Sequence, residues 1–125
     1  MKHINTPNAP AAIGPYSHAV VVNGMIYTSG QVAMNPETKE LVTSGVADEA
    51  HQVMKNLEVI LKEVGTSFDK VIKATIFLQD MNDFPIVNEV YGSYLTEGKF
   101  PARETVQVAR LPRDVKVEIS MIAQV

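Results

Sequence analysis

The sequence predicts an α+β fold with about six strands in one sheet and two helices packed on one face of that sheet. Three observations carry this prediction. Two segments repeat their apolar residues at helical spacing. Other segments are short and either apolar or alternating, as strands are, and an Asn-Gly pair separates two of them. The order is β-β-β-α-β-α-β-β, and no repeat or linker divides residues 1–125, so we expect a single domain.

The first half of the chain contains a hairpin signal and a helix signal. Asn23-Gly24 lies in the middle of the apolar stretch 20–27, which predicts a type I′ hairpin because both central residues need a positive φ. Residues 46–64 repeat apolar side chains every three or four positions, with acidic residues in the first turn and Gly65 as a stop. This pattern predicts an amphipathic helix.

The second half begins with a buried strand and a second helix. Residues 71–78 are apolar almost throughout and rich in β-branched side chains, as a strand buried on both faces is. A helix is predicted over about 84–95, with Asp83 as a plausible N-cap and Pro85 in the first turn. Its shared apolar face consists of Phe84, Val87, Val90, Tyr91, Tyr94 and Leu95.

Two strands are predicted at the end of the chain, over residues 103–109 and 115–125. In the last strand, alternation puts one apolar set toward the helices: Val115, Val117, Ile119, Met121 and Ala123. The opposite face is mixed and contains Lys116, Glu118, Ser120, Ile122 and Gln124. Partial cover by another subunit and an ordinary solvated face explain this mixture equally well.

Composition excludes several classes of protein. The formal net charge is −3 and no basic stripe is present, which argues against a nucleic-acid binder. The absence of cysteine excludes disulfides, cysteine zinc sites and thiol catalysis. No apolar run approaches the roughly 18 residues of a membrane span, so we expect a cytoplasmic protein. A chain this short encloses a ligand poorly, which favours a site between subunits.

Arg103 and Glu118 are the strongest candidates for chemistry. All three arginines lie between residues 103 and 113, and Arg103 shares one strand face with Thr105 and Gln107. An arginine fork binds a carboxylate in two places, although an exposed arginine paired with a glutamate is the more ordinary explanation. Glu118 lies mid-strand between apolar residues. Burial by a neighbouring chain would raise its pKa toward that of a general base, and otherwise it is an ordinary glutamate.

Weaker signals come from two turns. Tyr16 follows a Gly-Pro turn just before a strand, where it presents a hydroxyl or merely packs. Ser29 lies in a Thr-Ser-Gly-Gln segment whose amides could bind an oxygen, but the Lys and Ser/Thr of a P-loop are missing. The three histidines, His3, His18 and His51, lack metal-ligand spacing. We expect neither a metal nor an organic cofactor.

Several motifs, taken together and in order, resemble the reactive-intermediate deaminase (Rid) family. They cover nearly the whole chain, in the segments 8–17, 28–31, 80–84, 87–91, 100–103, 106–112 and 115–119. The resemblance implies a chorismate-mutase-like α+β fold and a homotrimer with sites in the clefts between subunits. It also implies cofactor-free hydrolysis of reactive 2-imino acids, such as 2-iminopropanoate and 2-iminobutanoate, to 2-oxo acids and ammonia. That activity would prevent damage to pyridoxal-phosphate enzymes.

The resemblance also implies roles for individual residues. Arg103 would clamp the substrate carboxylate, and Glu118 would hold or activate the attacking water. Thr105 would present backbone groups to the imine. Tyr16 and Ser29 would line the cleft. These roles suit an imine, whose carbon is already electrophilic and needs placement and a positioned water more than a nucleophile.

Asn88 would lie near the wall of the same cleft. The sequence departs from many family members after the arginine, where Glu104-Thr105 replaces the common Ser-Cys pair. Loss of the thiol leaves backbone chemistry intact. Glu104 points away from the face of Arg103 by alternation, but its added charge is expected to alter the substrate range or weaken anion binding.

Two other functions compete with an imine deaminase. A non-catalytic protein could use the same arginine cleft to bind a 2-oxo acid or a similar metabolite and signal through its surface. The presence of Glu118 favours the enzyme, since a pure anion binder gains nothing from a nearby carboxylate. RNA cleavage is also associated with this family, but the acidic charge and the lack of an aromatic and basic groove argue against it.

Overall fold

The computed structural model describes residues 1–125 and contains a six-stranded sheet in the order β1-β2-β3-β6-β4-β5. Neighbouring strands are antiparallel, except for the parallel pair β4 and β5. The elements are β1 (Lys2–Ile4), β2 (Ala19–Val22), β3 (Met25–Thr28), α1 (Val46–Glu63), β4 (Val71–Leu78), α2 (Phe84–Ser93), β5 (Ala102–Gln107) and β6 (Val117–Gln124). The predicted element order is confirmed.

The core lies between one face of this sheet and the two helices. The predicted alternation of β6 is confirmed, because Val117, Ile119, Met121 and Ala123 are each at most 1% exposed and belong to the core. The residues between them face the other way and are half-buried in the chain. The sheet therefore has one face covered by α1 and α2 and one open face.

Two predicted turns adopt the left-handed backbone that their sequence requires. Asn23 and Gly24 have φ values of 50° and 75° and join β2 to β3. Gly65, with a φ of 77°, ends α1 one residue earlier than expected. Its amide donates to the carbonyl of Lys62, as in a glycine-terminated helix.

The start of α2 differs from the prediction. Asp83 does not cap the helix with its side chain, because residues Met81–Asp83 already form a 3-10 turn. The cap belongs to Asp80, whose carboxylate accepts a hydrogen bond from the Asn82 amide at 2.9 Å. Pro85 lies in the first turn of α2 as expected. The helix ends at Ser93, two residues early.

The last two strands are shorter than predicted. β5 stops at Gln107, because the chain leaves the sheet after the Val108 amide donates to the carbonyl of Leu78 at the end of β4. β6 begins only at Val117, after a 3-10 turn that starts at Pro112. β1 is a strand whose position the sequence does not predict. Neither α1 nor α2 is both long and apolar enough to cross a membrane.

Candidate active site

Five of the six predicted site residues line two separate cavities. The Arg103 cavity, about 360 Å³, lies where α2 passes the start of β5 and includes Asn88 and Tyr91. The Glu118 cavity, about 620 Å³, lies at the start of β6 and includes Tyr16 and Ser29. Thus one chain brings Arg103 together with Asn88, and Glu118 together with Tyr16 and Ser29, but it does not join the two groups.

Arg103 is held by α2. Its Nη1 donates a hydrogen bond to the side-chain oxygen of Asn88. Its guanidinium lies over the rings of Phe84 and Tyr91, each centroid 5.3 Å away. These cation–π contacts and the hydrogen bond restrict the fork without neutralising its charge, since no carboxylate pairs with it. The ordinary explanation, an arginine paired with a glutamate, does not apply.

Tyr91 and Phe84 are functional neighbours that the sequence analysis assigned only to the core. Both belong to the apolar face predicted for α2, and the spacing of 84, 88 and 91 puts them with Asn88 on one side of the helix. Burial raises the pKa of the Tyr91 phenol, and the Arg103 charge lowers it in smaller measure. The Tyr91 hydroxyl is buried without a hydrogen-bond partner. The spacing of Phe84, Asn88 and Tyr91 at i, i+4 and i+7 was the sequence signal that could have placed these two aromatic residues beside the site.

Glu118 lies on the open face of the sheet, opposite Phe77 of β4. The carboxyl is half-buried, and desolvation raises its pKa above the ordinary value. Gln31 and Ile119 exchange backbone hydrogen bonds of 2.8 and 3.1 Å, which hold the segment around Gly30 against Glu118. The rise in the Glu118 pKa that we expected from burial by a neighbouring chain is therefore already present within one chain.

Ser29 and Tyr16 form the adjoining wall. The Ser29 hydroxyl donates to the carbonyl of Ser17 at 2.6 Å, which ties the end of β3 to the segment that carries Tyr16. The Tyr16 side chain is 51% exposed and is free to contact a ligand. The Ser29 hydroxyl is thus used to hold the wall together, while Tyr16 lines the cavity with an exposed side chain.

His18 organises this wall from behind. Its ring is buried, its Nδ1 accepts from the Thr6 amide at 3.1 Å, and its Nε2 donates to the carbonyl of Pro10 at 2.7 Å. Its carbonyl accepts from the Ser29 amide at 2.9 Å. His18 therefore anchors the N-terminal segment to the sheet. No group of three or more metal-ligating side chains is positioned to hold a metal ion.

The sheet separates Arg103 from Glu118. Arg103 and Thr105 lie opposite Ala74 and Ile76 of β4, which are fully buried beneath the helices. Glu118 points to the other face, and its strand is two strand spacings from β5, roughly 10 Å. Alternation within each strand was predictable, but the strand order that puts these side chains on opposite faces was not.

Thr105 lies on the helix-covered face of the sheet and lines neither cavity. Its hydroxyl oxygen is buried without a hydrogen-bond partner. A role for the Thr105 side chain in binding is thus unsupported, while its backbone belongs to the edge strand β5.

Glu104 points away from Arg103, as alternation predicts. Its carboxylate lies 3.2 Å from Lys73 Nζ and accepts a hydrogen bond from the Thr75 hydroxyl. The Lys73 ammonium offsets the negative charge on this open face. Glu104 is therefore expected to weaken anion binding at Arg103 less than its adjacent position in the sequence suggests.

Comparison with known proteins agrees with this architecture. The family model described as endoribonuclease L-PSP matches residues 6–125. A Rid-family protein of unknown function from Yersinia pestis has a solved structure with a TM-score of 0.96 and 45% identity, covering 99% of this chain and 98% of that one. The chain belongs to the Rid family. The resemblance in its motifs and the expected α+β fold are both confirmed.

Relatives of this Rid-family chain carry more than one description. The 2-iminobutanoate/2-iminopropanoate deaminase of Mus musculus is 54% identical over 122 residues, or 98% of this chain and 90% of the mouse protein. A protein of Synechocystis described as a RutC family protein is 48% identical over 124 residues, or 98% of this chain and 95% of its own length. The match is nearly end to end in both cases.

Proposed function

We propose that this Rid-family chain is a single Rid-type domain that hydrolyses 2-imino acids, such as 2-iminobutanoate and 2-iminopropanoate, to 2-oxo acids and ammonia without a cofactor. The proposal rests on one observation, which is that Arg103 and Glu118 occupy separate cavities. Arg103 stacks on two aromatic rings and has no carboxylate partner, and burial raises the pKa of the Glu118 carboxyl. A 2-imino acid needs both groups at once. The active site is therefore formed by two chains.

Arg103 binds the α-carboxylate of the substrate. Its fork is oriented by Asn88 and by the rings of Phe84 and Tyr91, so little side-chain freedom remains to be lost when the anion binds. A carboxylate accepts two parallel hydrogen bonds from such a fork. This contact holds the imine carbon at a fixed distance from the Arg103 guanidinium.

Glu118 supplies the base. Its carboxylate takes a proton from water while the water oxygen bonds to the imine carbon. Glu118 returns this proton to the imine nitrogen, which completes the carbinolamine. It then takes the proton of the new hydroxyl and passes it to the amine nitrogen as the C=O bond forms and the C–N bond breaks, so that one imine and one water become one 2-oxo acid and one ammonia. A pKa above the usual range for glutamate suits these proton transfers near neutral pH.

We propose a homotrimer with three such sites. The open face of the sheet supports assembly, because apolar side chains lie on it with nothing from the chain covering them, among them Tyr27 at 44% and Val106 at 41% exposure. A closed ring of three copies uses the same pair of surfaces at every contact and leaves no open end. Each contact then brings the Arg103 cavity of one copy to the Glu118 cavity of the next.

Subunit mixing tests this proposal. Arg103→Ala and Glu118→Gln chains are each expected to be inactive, and co-expression of the two with different tags gives mixed oligomers. If each site takes Arg103 from one chain and Glu118 from its neighbour, equal mixing restores about a quarter of the wild-type activity. Activity is read by trapping with semicarbazide the 2-iminobutanoate that an amino-acid oxidase makes from 2-aminobutyrate.

Three outcomes would contradict the proposal. No restoration in verified mixed oligomers would assign both residues to a site within one chain. A wild type that leaves the imine to the trap, yet gains thermal stability from 2-oxobutyrate, would be a binding protein. Cleavage of RNA at physiological salt would support the name of the family model, although Arg113 is the only cation that lines the Glu118 cavity.

A further inference from the structure

Arg113 is the one arginine of this chain without a partner. Arg103 is held by Asn88, and Arg110 forms a two-point ion pair with Asp114, at 2.7 and 3.2 Å. Arg113 makes no side-chain hydrogen bond or ion pair and lines the Glu118 cavity. A guanidinium at the edge of a cavity, with its donors unused, is available to an anionic group of a ligand.

The backbone holds Arg113 in a conformation that costs energy. Its φ is 56° and that of Asp114 is 57°, a region that glycine and asparagine adopt more readily. The turn is nevertheless well anchored. Leu111 is buried, and its amide donates to the side chain of Gln79 at 2.9 Å, while Arg110 grips Asp114. Strain that is maintained by its surroundings at the edge of a cavity indicates a use for the side chain.

Within one chain, the Glu118 cavity is larger than a four-carbon imino acid. Its volume, about 620 Å³, falls within the roughly 300–1,000 Å³ of pockets that enclose larger ligands. Glu118 is its only acidic residue and Arg113 its only cation. The wall between them is mainly apolar and includes Ile13, Val32 and Met34. A ligand that bridges these two groups has an apolar middle and an anionic far end.

We propose that Arg113 binds a second carboxylate, so that dicarboxylic 2-imino acids are substrates of this site. The inference rests on the proposed function, in which Arg103 holds the α-carboxylate and Glu118 faces the imine. The side-chain carboxylate then reaches Arg113 across the apolar wall. Without Arg113, that carboxylate would enter a cavity to which the chain itself contributes no cation and the like charge of Glu118.

The test compares one dicarboxylic and one monocarboxylic substrate. 2-Iminoglutarate and 2-iminobutanoate are made in situ by oxidation of glutamate and 2-aminobutyrate, and the ratio of their kcat/KM values is measured. Arg113→Asn removes the cation while suiting the left-handed backbone, and Arg113→Lys keeps the charge. We expect Arg113→Asn to lower the ratio about 10-fold or more, mainly through KM for the dicarboxylic acid, while Arg113→Lys loses much less.

Several results would overturn the inference. The first is a ratio of kcat/KM values that changes by less than about two-fold in Arg113→Asn. The second is an equal fall of this ratio in the asparagine and lysine variants. The third is a wild type that neither hydrolyses 2-iminoglutarate nor binds 2-oxoglutarate. Calorimetric binding of 2-oxoglutarate and 2-oxobutyrate separates this test from the proposed function. If no imine is hydrolysed, a preference for 2-oxoglutarate that Arg113→Asn abolishes still supports the role of Arg113 in a binding protein.

Discussion

A methyl group on Gly30 would lie 2.8 Å from the carboxyl carbon of Glu118 and 2.9 Å from one of its oxygens. A side chain at position 30 would therefore displace the Glu118 carboxyl through close approach, and no left-handed backbone is involved. The backbone of this segment, tied to β6 by the Gln31–Ile119 hydrogen bonds, forms one side of the space that Glu118 occupies. The position of the proposed base thus depends on a residue that has no side chain.

Gly30→Ala is expected to displace Glu118. Because the atoms that the methyl meets are the far end of the flexible Glu118 side chain, its cost in free energy of unfolding is expected to be only about 1 kcal/mol, while the displaced carboxyl reduces kcat to near that of Glu118→Ala. In a Glu118→Ala background the same methyl has room, so its cost in stability largely disappears. Urea unfolding of the two single variants and the double variant measures this coupling. Additive losses of stability would show that Gly30 matters for some other reason.

Glu118 also determines a pH dependence. Because burial raises its pKa, kcat/KM is expected to rise with pH along an acidic limb whose midpoint lies above the ordinary glutamate value of about 4.3. Stability changes in the opposite direction. The folded state holds its proton to higher pH than the unfolded state does, so the free energy of unfolding falls as pH rises through that window.

Glu118→Gln is expected to abolish the activity, and with it the acidic limb of kcat/KM, and also the fall in stability with rising pH. Glu104→Gln is the matched control, since Glu104 is an acid on the same sheet face that pairs with Lys73. It is expected to keep the acidic limb and to change kcat/KM by less than about two-fold, as exposed ion pairs contribute little. An acidic limb that survives in Glu118→Gln would assign the titration to another group.

Arg103 is expected to act through its fork as well as its charge. Arg103→Ala should lower kcat/KM for 2-iminobutanoate about 100-fold, and Arg103→Lys about 10-fold or more, because an ammonium cannot reproduce the two-point contact. Kinetics at matched thermal stability measure the difference. A lysine variant with wild-type kinetics would mean that the stacking on Phe84 and Tyr91 does not orient a functional fork.

Thr105 offers a stability test without an effect on chemistry. Its buried hydroxyl has no partner, so Thr105→Val is expected to raise the free energy of unfolding by about 1 kcal/mol and to leave the backbone of β5 unchanged. Thr66→Val is the matched comparison, because the Thr66 hydroxyl donates to the carbonyl of Gln124 at 2.6 Å. That variant should lose about 1–3 kcal/mol. A similar loss at position 105 would indicate a hydrogen-bond partner from another subunit.

The local pattern of the sequence was sufficient for most of the fold. The Asn23-Gly24 turn, the extent of α1 and the alternation along β6 follow from short-range chemistry, since positive φ, a periodic apolar stripe and a two-residue period each act within a few residues. The same reasoning identified Arg103 and Glu118 as unusual for their positions. Where it was wrong, at Asp83, a 3-10 turn had replaced a helix cap that local propensity allowed equally well.

The tertiary structure decided how these residues are combined. Pairing of β5 parallel to β4, on the far side of β6, is a long-range choice that alternation within a strand does not encode. That choice places Arg103 beneath α2 and Glu118 on the open face, and it leaves Arg113 in the cavity of Glu118 rather than in that of Arg103. The sequence by itself determined which side chains could do chemistry. Only the packing of distant segments decided which of them share a cavity, because those contacts depend on strand order and not on neighbours along the chain.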